Sequence, residues 1–218
     1  MQTQADDTGR VLLINKPLRW TSFDVVNKLR FRLKIKKIGH AGTLDPLATG
    51  LLIICVGKMT KRIEEFMGLE KEYTGKFILG KTTPSYDLET DVGEEKDIST
   101  LTEEMIKDAV RPFIGTISQL PPLHSAIRIG GKRAYEFARK GADIELKPRD
   151  VHMHKFEITS INLPEVSFRI VCSKGTYIRS IARDFGNELK VGAYLSALCR
   201  TRIGPFLLSD ALEIDQVE

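Results

Sequence analysis

Apolar positions along the 218-residue chain follow two periods in turn, and that alternation predicts a mixed fold. Val11-Leu12-Leu13-Ile14 is a short apolar run ended by Asn15-Lys16-Pro17 and reads as a buried strand. A helix follows. Thr21 with Asp24 three residues on has the pattern of a capping box, and Phe23, Val26, Leu29 and Leu33 give an apolar face at helical spacing. The alternating segment Arg30 to Lys36 is equally compatible with a strand, so periodicity leaves the end of this helix open. A glycine-bearing loop, Gly39 to Pro46, then leads into Leu51–Val56, an apolar run between Gly50 and Gly57 that reads as a central strand. Tyr73–Leu79 is a second strand candidate.

The acidic stretch around residues 87–105 reads as a surface insertion, followed by a helix near Glu103–Arg111 and a turn at Leu120-Pro121-Pro122. Asp150–Ile161 and Glu165–Cys172 read as strands, the second through the alternation of Val166, Phe168, Ile170 and Cys172. A helix is expected from Thr176, with Ile178, Ile181, Ala182, Phe185 and Leu189 inward and Gly192 beyond its end as a left-handed cap. Leu195 and Leu198 fall in an apolar stretch read as helical. The sequence carries no internal repeat and no Gly/Ser linker. Helices and strands therefore mix in one α+β domain over residues 10–218, after a disordered leader at 1–9.

Composition adds less than the placement of charge. The net charge of +4 and pI near 8.9 are too mild to define a polyanionic partner. However, Lys28, Arg30, Arg32, Lys34, Lys36 and Lys37 run without an intervening acid, and a face of one sign suits phosphates. Cys55, Cys172 and Cys199 are odd in number and far apart, which indicates neither a disulfide framework nor a C-x-x-C metal site. Residues 1–10 lack an apolar core, and the longest apolar runs are too short to span a bilayer, so a cytoplasmic protein is expected.

Asp45 followed by Pro46 is a good helix start, since Asp is favoured at the N-cap and Pro at the first helical position. The same loop carries His40 and two glycines, which permit close backbone approach to a ligand. It has neither the P-loop ending nor the dinucleotide fingerprint. His152 and His154 would share one face of a strand, with no carboxylate or thiol pattern beside them, so no metal is expected. Ser173 to Arg179 joins a strand to a helix start, where free amides, a hydroxyl and two cations converge.

Gly39–Gly50, read GHAGTLDPLATG, resembles the signature of the TruB-type pseudouridine synthases. Four further blocks stand in the expected order: Lys16-Pro17; Lys71-Glu72-Tyr73 leading to Leu79-Gly80; Gln119–Gly141; and Cys172–Ser180 with its tail Arg200 to Phe206. The resemblance covers residues 11–207. It implies a mixed, mostly antiparallel sheet flanked by helices around a central active-site cleft, and isomerisation of the uridine at position 55 in the tRNA T-loop without a cofactor. By resemblance Asp45 is the nucleophile, Arg179 the cation that orients it, and Tyr73 the aromatic that stacks on the target base and is a candidate for proton removal at C5. His40 enters the loop where bases have left, Asp87, Lys16, Tyr177 and Leu198 line the pocket, and Lys174 is a candidate for phosphate. Whether the aspartate attacks base or sugar stays open.

Two departures stand out: His124 where the family often has Tyr or Phe, and Arg128 where Lys is common. No C-terminal domain of the PUA kind is expected, which sets the chain apart from the guide-RNA-dependent dyskerin relatives, and neither is a protein partner; a monomer gripping the T-arm unaided is the reading. Two rivals remain. A non-catalytic protein that remodels the tRNA elbow would need the basic face and His40 but not Asp45. A retaining glycosidase-like enzyme would need a second carboxylate of raised pKa, for which Asp87 is the pocket candidate.

Overall fold

The computed structural model describes residues 9–93, 95–123, 125, 128–129, 132–133 and 146–218. His124, the Arg128 side chain and residues 1–8 of the expected leader lie outside the described residues. In chain order the elements are β1 (Arg10–Lys16), α1 (Ser22–Leu33), β2 (Ile38–Ala41), β3 (Ala48–Val56), α2 (Ile63–Gly68), β4 (Lys71–Leu79) and α3 (Glu103–Asp108). They continue with β5 (Gly115–Gln119), β6 (Arg128–Ile129), β7 (Lys132–Arg133), β8 (Arg149–Asn162), β9 (Glu165–Cys172), α4 (Ile178–Glu188), β10 (Ala193–Ile203) and β11 (Phe206–Leu207). Two compact units emerge, one holding the described residues up to Thr74 together with Ala197–Glu218, the other Gly75–Ser196.

The first unit is built on β3. Its Leu51–Val56 run is apolar throughout because both faces are covered, as for a strand with no solvent side. Leu52, Ile54 and Val56 pack with Val25, Val26 and Leu29 of α1 and with Ile214 and Val217, while Leu51, Ile53 and Cys55 pack with Phe66 of α2 and with Ile203. One edge of β3 is taken by β1, antiparallel from Arg10↔Val56 to Lys16↔Gly50. The other is shared by β10, parallel at Ala48–Gly50, and β2, antiparallel at Ile53–Val56. The gap between them is closed by a side chain. Arg200, only 1 % exposed, donates from Nε to the Leu51 carbonyl (2.8 Å) and from Nη2 to the Gly42 carbonyl (3.0 Å). Gly50 makes the approach possible, since its φ is +102° and a Cβ there would stand 2.4 Å from the Arg200 carbonyl oxygen.

Helix α1 begins as its sequence dictates. Thr21 accepts from the Asp24 amide (3.0 Å) and Asp24 accepts from the Thr21 amide (2.8 Å). The helix runs to Leu33 and ends at a left-handed Lys34, so the strand alternative for residues 30–36 is not realised. Its inward face differs from expectation: Val25 takes the place assigned to Phe23, which is 60 % exposed. The loop expected from Gly39 opens inside a strand, β2.

In the second unit β8 lies between β5 and β9, antiparallel to both, and β4 follows β9 in the hydrogen-bonded order. Phe77, Phe113, Phe156, Phe168 and Phe185 form its aromatic centre, with the Phe77 and Phe168 rings stacked at 4.1 Å. Such pairs add about 1 kcal/mol each beyond the area they bury. Helix α4 starts at Ile178, and the left-handed residue after its end is Lys190, with Gly192 also at positive φ. Residues 195 and 198 are not helical. They belong to β10.

Arg200→Met would leave the buried Leu51 carbonyl unpaired and the half-buried Gly42 carbonyl without its side-chain donor, a loss of about 1–3 kcal/mol for the buried group. Urea unfolding should show the midpoint falling accordingly, and an unchanged midpoint would remove Arg200 as the closure of the β3 edge.

Candidate active site

In the first unit the segment that carries Asp45 is held by its backbone rather than by regular structure. Gly42, at φ +96°, offers its carbonyl to Arg200. Leu44 is bracketed by Ser22, whose Oγ accepts from the Leu44 amide (2.9 Å) and donates to its carbonyl (3.2 Å). The Pro46 carbonyl accepts from the Arg19 amide (2.7 Å), and the Asp45 carbonyl accepts from the Ala48 amide (3.0 Å). That last bond closes a turn with proline at its second position, which Pro favours. No helix follows Asp45; the strand β3 does, so the N-cap reading of Asp45-Pro46 is overturned. Ser22 and Arg19 come from the start of α1, which explains why Thr21 must fix that start.

Lys16 and Arg200 give this unit its electrostatic character. Lys16 is fully buried at the end of β1, and its Nζ donates to the carbonyls of Trp20 (2.6 Å) and Pro17 (3.0 Å). Burial pulls its pKa down to about 8, with the like charge of Arg200 acting the same way and the carboxylates of Asp45 and Asp24 opposing both. The ammonium is therefore charged at neutral pH and interacts with Asp45. His40, on β2 opposite Ile54, is half-buried, and its Nδ1 is buried with no hydrogen-bond partner among the described residues. Burial first and Arg200 second lower its pKa, so the imidazole stays neutral at pH 7. Tyr73 is buried on β4, and Leu198 is half-buried on β10 opposite Ala48.

In the second unit Asp87 and Arg179 meet. Arg179 Nε lies 3.5 Å from Asp87 Oδ2, and both side chains are almost wholly buried. Asp87 Oδ1 also accepts from Ser85 Oγ (2.6 Å) and from the Glu89 amide (2.9 Å), while its carbonyl takes the Thr83 hydroxyl (2.6 Å). Arg179 reaches the Ser85 carbonyl at 3.4 Å. A buried pair of this kind stabilises little in net terms but is severe to break, so it fixes where the guanidinium can point. Arg179 sits in the first turn of α4, whose entry is set by Gln119. That buried amide accepts from the Tyr177 N–H (2.8 Å) and donates to its carbonyl (3.1 Å), acting as one rung of a strand. The Arg149 guanidinium covers the Tyr177 ring at 4.6 Å, and Lys174 is exposed beside it.

The structure thus couples Lys16 to Asp45, sets both Lys16 and His40 in the field of Arg200, and pairs Asp87 with Arg179, while Tyr177 is held by Gln119 and Arg149. Sequence reasoning gave no role to Arg200, Ser22, Ser85 or Gln119. Arg200 lay within a quoted block, but its alternation with polar neighbours gave no sign of burial. Among the described residues no group of three or more His, Cys, Asp or Glu could hold a metal ion. None of their helices is long and apolar enough to cross a membrane.

A mixed sheet with helices, and an aspartate in a turn entering a buried strand, define a pseudouridine synthase fold, which comparison with solved structures supports. The chain is similar to one chain of a Cbf5–Nop10–Gar1 complex (TM-score 0.73, 30 % identity, 94 % of this chain and 53 % of that one). It is also similar to one of an H/ACA ribonucleoprotein bound to a substrate RNA containing 2′-deoxyuridine (TM-score 0.71, 27 % identity, 97 % and 52 %). It spans about half the length of these solved relatives. The chain belongs to the TruB family of pseudouridylate synthases, whose N-terminal domain model matches residues 30–178. It is 53 % identical over 217 residues to tRNA pseudouridine synthase B of Flavobacterium johnsoniae, covering 96 % of this chain and 95 % of that protein. Its identity to the protein of that name from Phocaeicola vulgatus is 52 % over 213 residues, covering 95 % and 91 %.

The Lys16 value has a consequence for stability. Between pH 8 and 10.5 the unfolded chain still holds a proton that the folded chain has released, so this residue's contribution to stability rises with pH across that window. Against a Lys16→Met reference, unfolding free energies should climb from pH 8 to 10, and NMR of the Lys16 side chain should give a midpoint near 8. A midpoint near 10.5 would show that the buried ammonium is not desolvated.

Proposed function

We propose that the chain isomerises uridine to pseudouridine at position 55 in the T-loop of tRNA, in the cytoplasm, as a monomer that needs no guide RNA and no cofactor. The observation that carries the reading is the turn holding Asp45, pinned at Gly42, Leu44, Asp45 and Pro46 and facing the buried charge of Lys16. A nucleophile must be ionised and aimed, and backbone pinning with a nearby cation serves both needs. Relatives about half identical over nearly the whole chain bear the name tRNA pseudouridine synthase B, which supports tRNA as the substrate.

In the proposed reaction the target nucleotide flips out of the folded loop, at a cost of a few kcal/mol. His40, kept neutral, fills the space it leaves without adding a charge to the stack. Asp45 attacks the nucleotide to form a transient covalent bond, the bond from C1′ to N1 breaks, the uracil rotates, C1′ joins C5, and the bond to Asp45 breaks to return the free carboxylate. The C5 proton is then lost, with Tyr73 stacked on the base as candidate acceptor, and N1 regains one. Arg179, held by Asp87, supplies a fixed cation, while Tyr177 and Leu198 line the pocket and Lys174 contacts phosphate.

Tritium release from C5 of uridine in a T-arm transcript tests the chemistry. Asp45→Asn should lower the rate by on the order of 10³-fold or more while RNA affinity is kept. Release by the variant would sink the nucleophile assignment, and binding without release by either protein would favour a protein that only remodels the tRNA elbow. Replacing Lys34 and Lys36 by Ala should weaken binding at all sequences and reduce the slope of log affinity against log salt by about one per lost phosphate contact. An unchanged slope would remove that segment from the interface.

A further inference from the structure

The outer face of α1 is at odds with a solvated helix. Val25, Val26 and Leu29 are buried inward, whereas Phe23, Asn27 and Phe31 succeed one another at four-residue spacing on the other side. Phe31 is 85 % exposed and Phe23 60 %. Scattered leucines on a surface call for no account, but two aromatic rings on one stripe do. At the start of that stripe lies an open groove of about 410 Å³ lined by Arg19, Trp20, Asp24, Asn27 and Lys28.

The charge of this region points to its occupant. Asp24, the acid of the groove, already accepts from the Thr21 amide and hydroxyl (2.8 and 2.6 Å). Arg19 and Lys28 bring two cations to the groove, and Lys34, Lys36 and Lys37 stand exposed beyond the end of the helix. Arg32 belongs elsewhere, bonded to the carbonyls of Val217 and Asp215. Exposed aromatic faces interleaved with cations suit single-stranded nucleic acid, whose bases stack while its phosphates are neutralised. An acidic protein segment would match the charge but leave the rings unused. The groove also adjoins the proposed site, because the Arg19 amide bonds the Pro46 carbonyl of the turn that holds Asp45.

We propose that Trp20, Phe23 and Phe31, with Arg19 and Lys28, form a second RNA-contact surface on which unstacked bases of the substrate lie outside the catalytic pocket. The proposal rests on RNA being the substrate and adds to that reading where the strand runs outside the pocket. Such a surface raises affinity without touching the reacting atoms, so it acts on KM and leaves kcat alone.

Trp20 is the chain's single tryptophan, which makes it a built-in reporter. Titration of the full chain with a short single-stranded oligouridylate should quench its fluorescence, whereas polyphosphate, a polyanion without bases, should not. The double variant Phe23→Ala with Phe31→Ala should bind unmodified tRNA about 5- to 100-fold more weakly, lose most of the quench and keep kcat for tritium release at saturating RNA. Both rings are exposed, so the thermal midpoint should not fall. Full quenching with unchanged affinity in the double variant would overturn the proposal by placing the reporter under pocket-bound RNA. Self-association relieved by the double variant, with RNA affinity unchanged, would also overturn it and mark the stripe as a protein contact. Absence of tritium release by the wild-type chain would count against the proposed reaction alone, since the quench and the affinity are read without turnover.

Discussion

Strand β3 has one edge that two other strands must share, and the single guanidinium that closes the gap between them is what the first unit depends on. Neither β10 nor β2 reaches Leu51, so without Arg200 a backbone carbonyl would be buried unpaired. The same side chain spans to Gly42, which turns a repair of the sheet into a restraint on the loop that follows β2. The loop cannot move away from β3 without breaking the bond from Arg200 to the Gly42 carbonyl. This coupling places Asp45 in the turn that enters β3, whose Leu51–Val56 run is buried throughout.

The same arrangement sets the electrostatics. The charge of buried Arg200 reaches its ionisable neighbours. It acts on Lys16 and His40 in the same direction, lowering both pKa values on top of what burial does. The outcomes differ because the starting values differ. Lys16 remains an ammonium at neutral pH, whereas His40 is driven to the neutral imidazole. One positive charge is therefore kept near Asp45, and His40 adds none to it.

The sequence revealed some of this and hid the rest for identifiable reasons. The capping box of α1, the buried run of β3 and the alternation of β9 are local patterns, and local patterns survive into the structure. Phe23 misled because helical spacing says which residues share a face but not which face turns inward; Val25 and Val26 together settle that only once β3 is in place. β10 was missed because its pairing partners are distant in sequence and it carries a buried arginine, the residue least expected there. The residues of the proposed site came from resemblance to a family, not from periodicity. Three of their supports, Arg200, Ser22 and Gln119, bond backbone groups, and backbone hydrogen bonds leave little trace in residue type.

The turn at Asp45 shows why that distinction matters for chemistry. Had Asp45 capped a helix, as Asp-Pro allows, its carboxylate would have been committed to the amides of its own first turn. Those amides would have occupied the lone pairs that the proposed nucleophile must present. The structure instead uses the Asp45 carbonyl to close the turn and sets the Lys16 ammonium where its charge acts on the carboxylate. Side-chain charge can stabilise an anion from a distance without bonding to it, whereas a capping amide must be in contact. A loop pinned through main-chain atoms and charged through side chains therefore suits the orienting role that the proposed reaction asks of this turn.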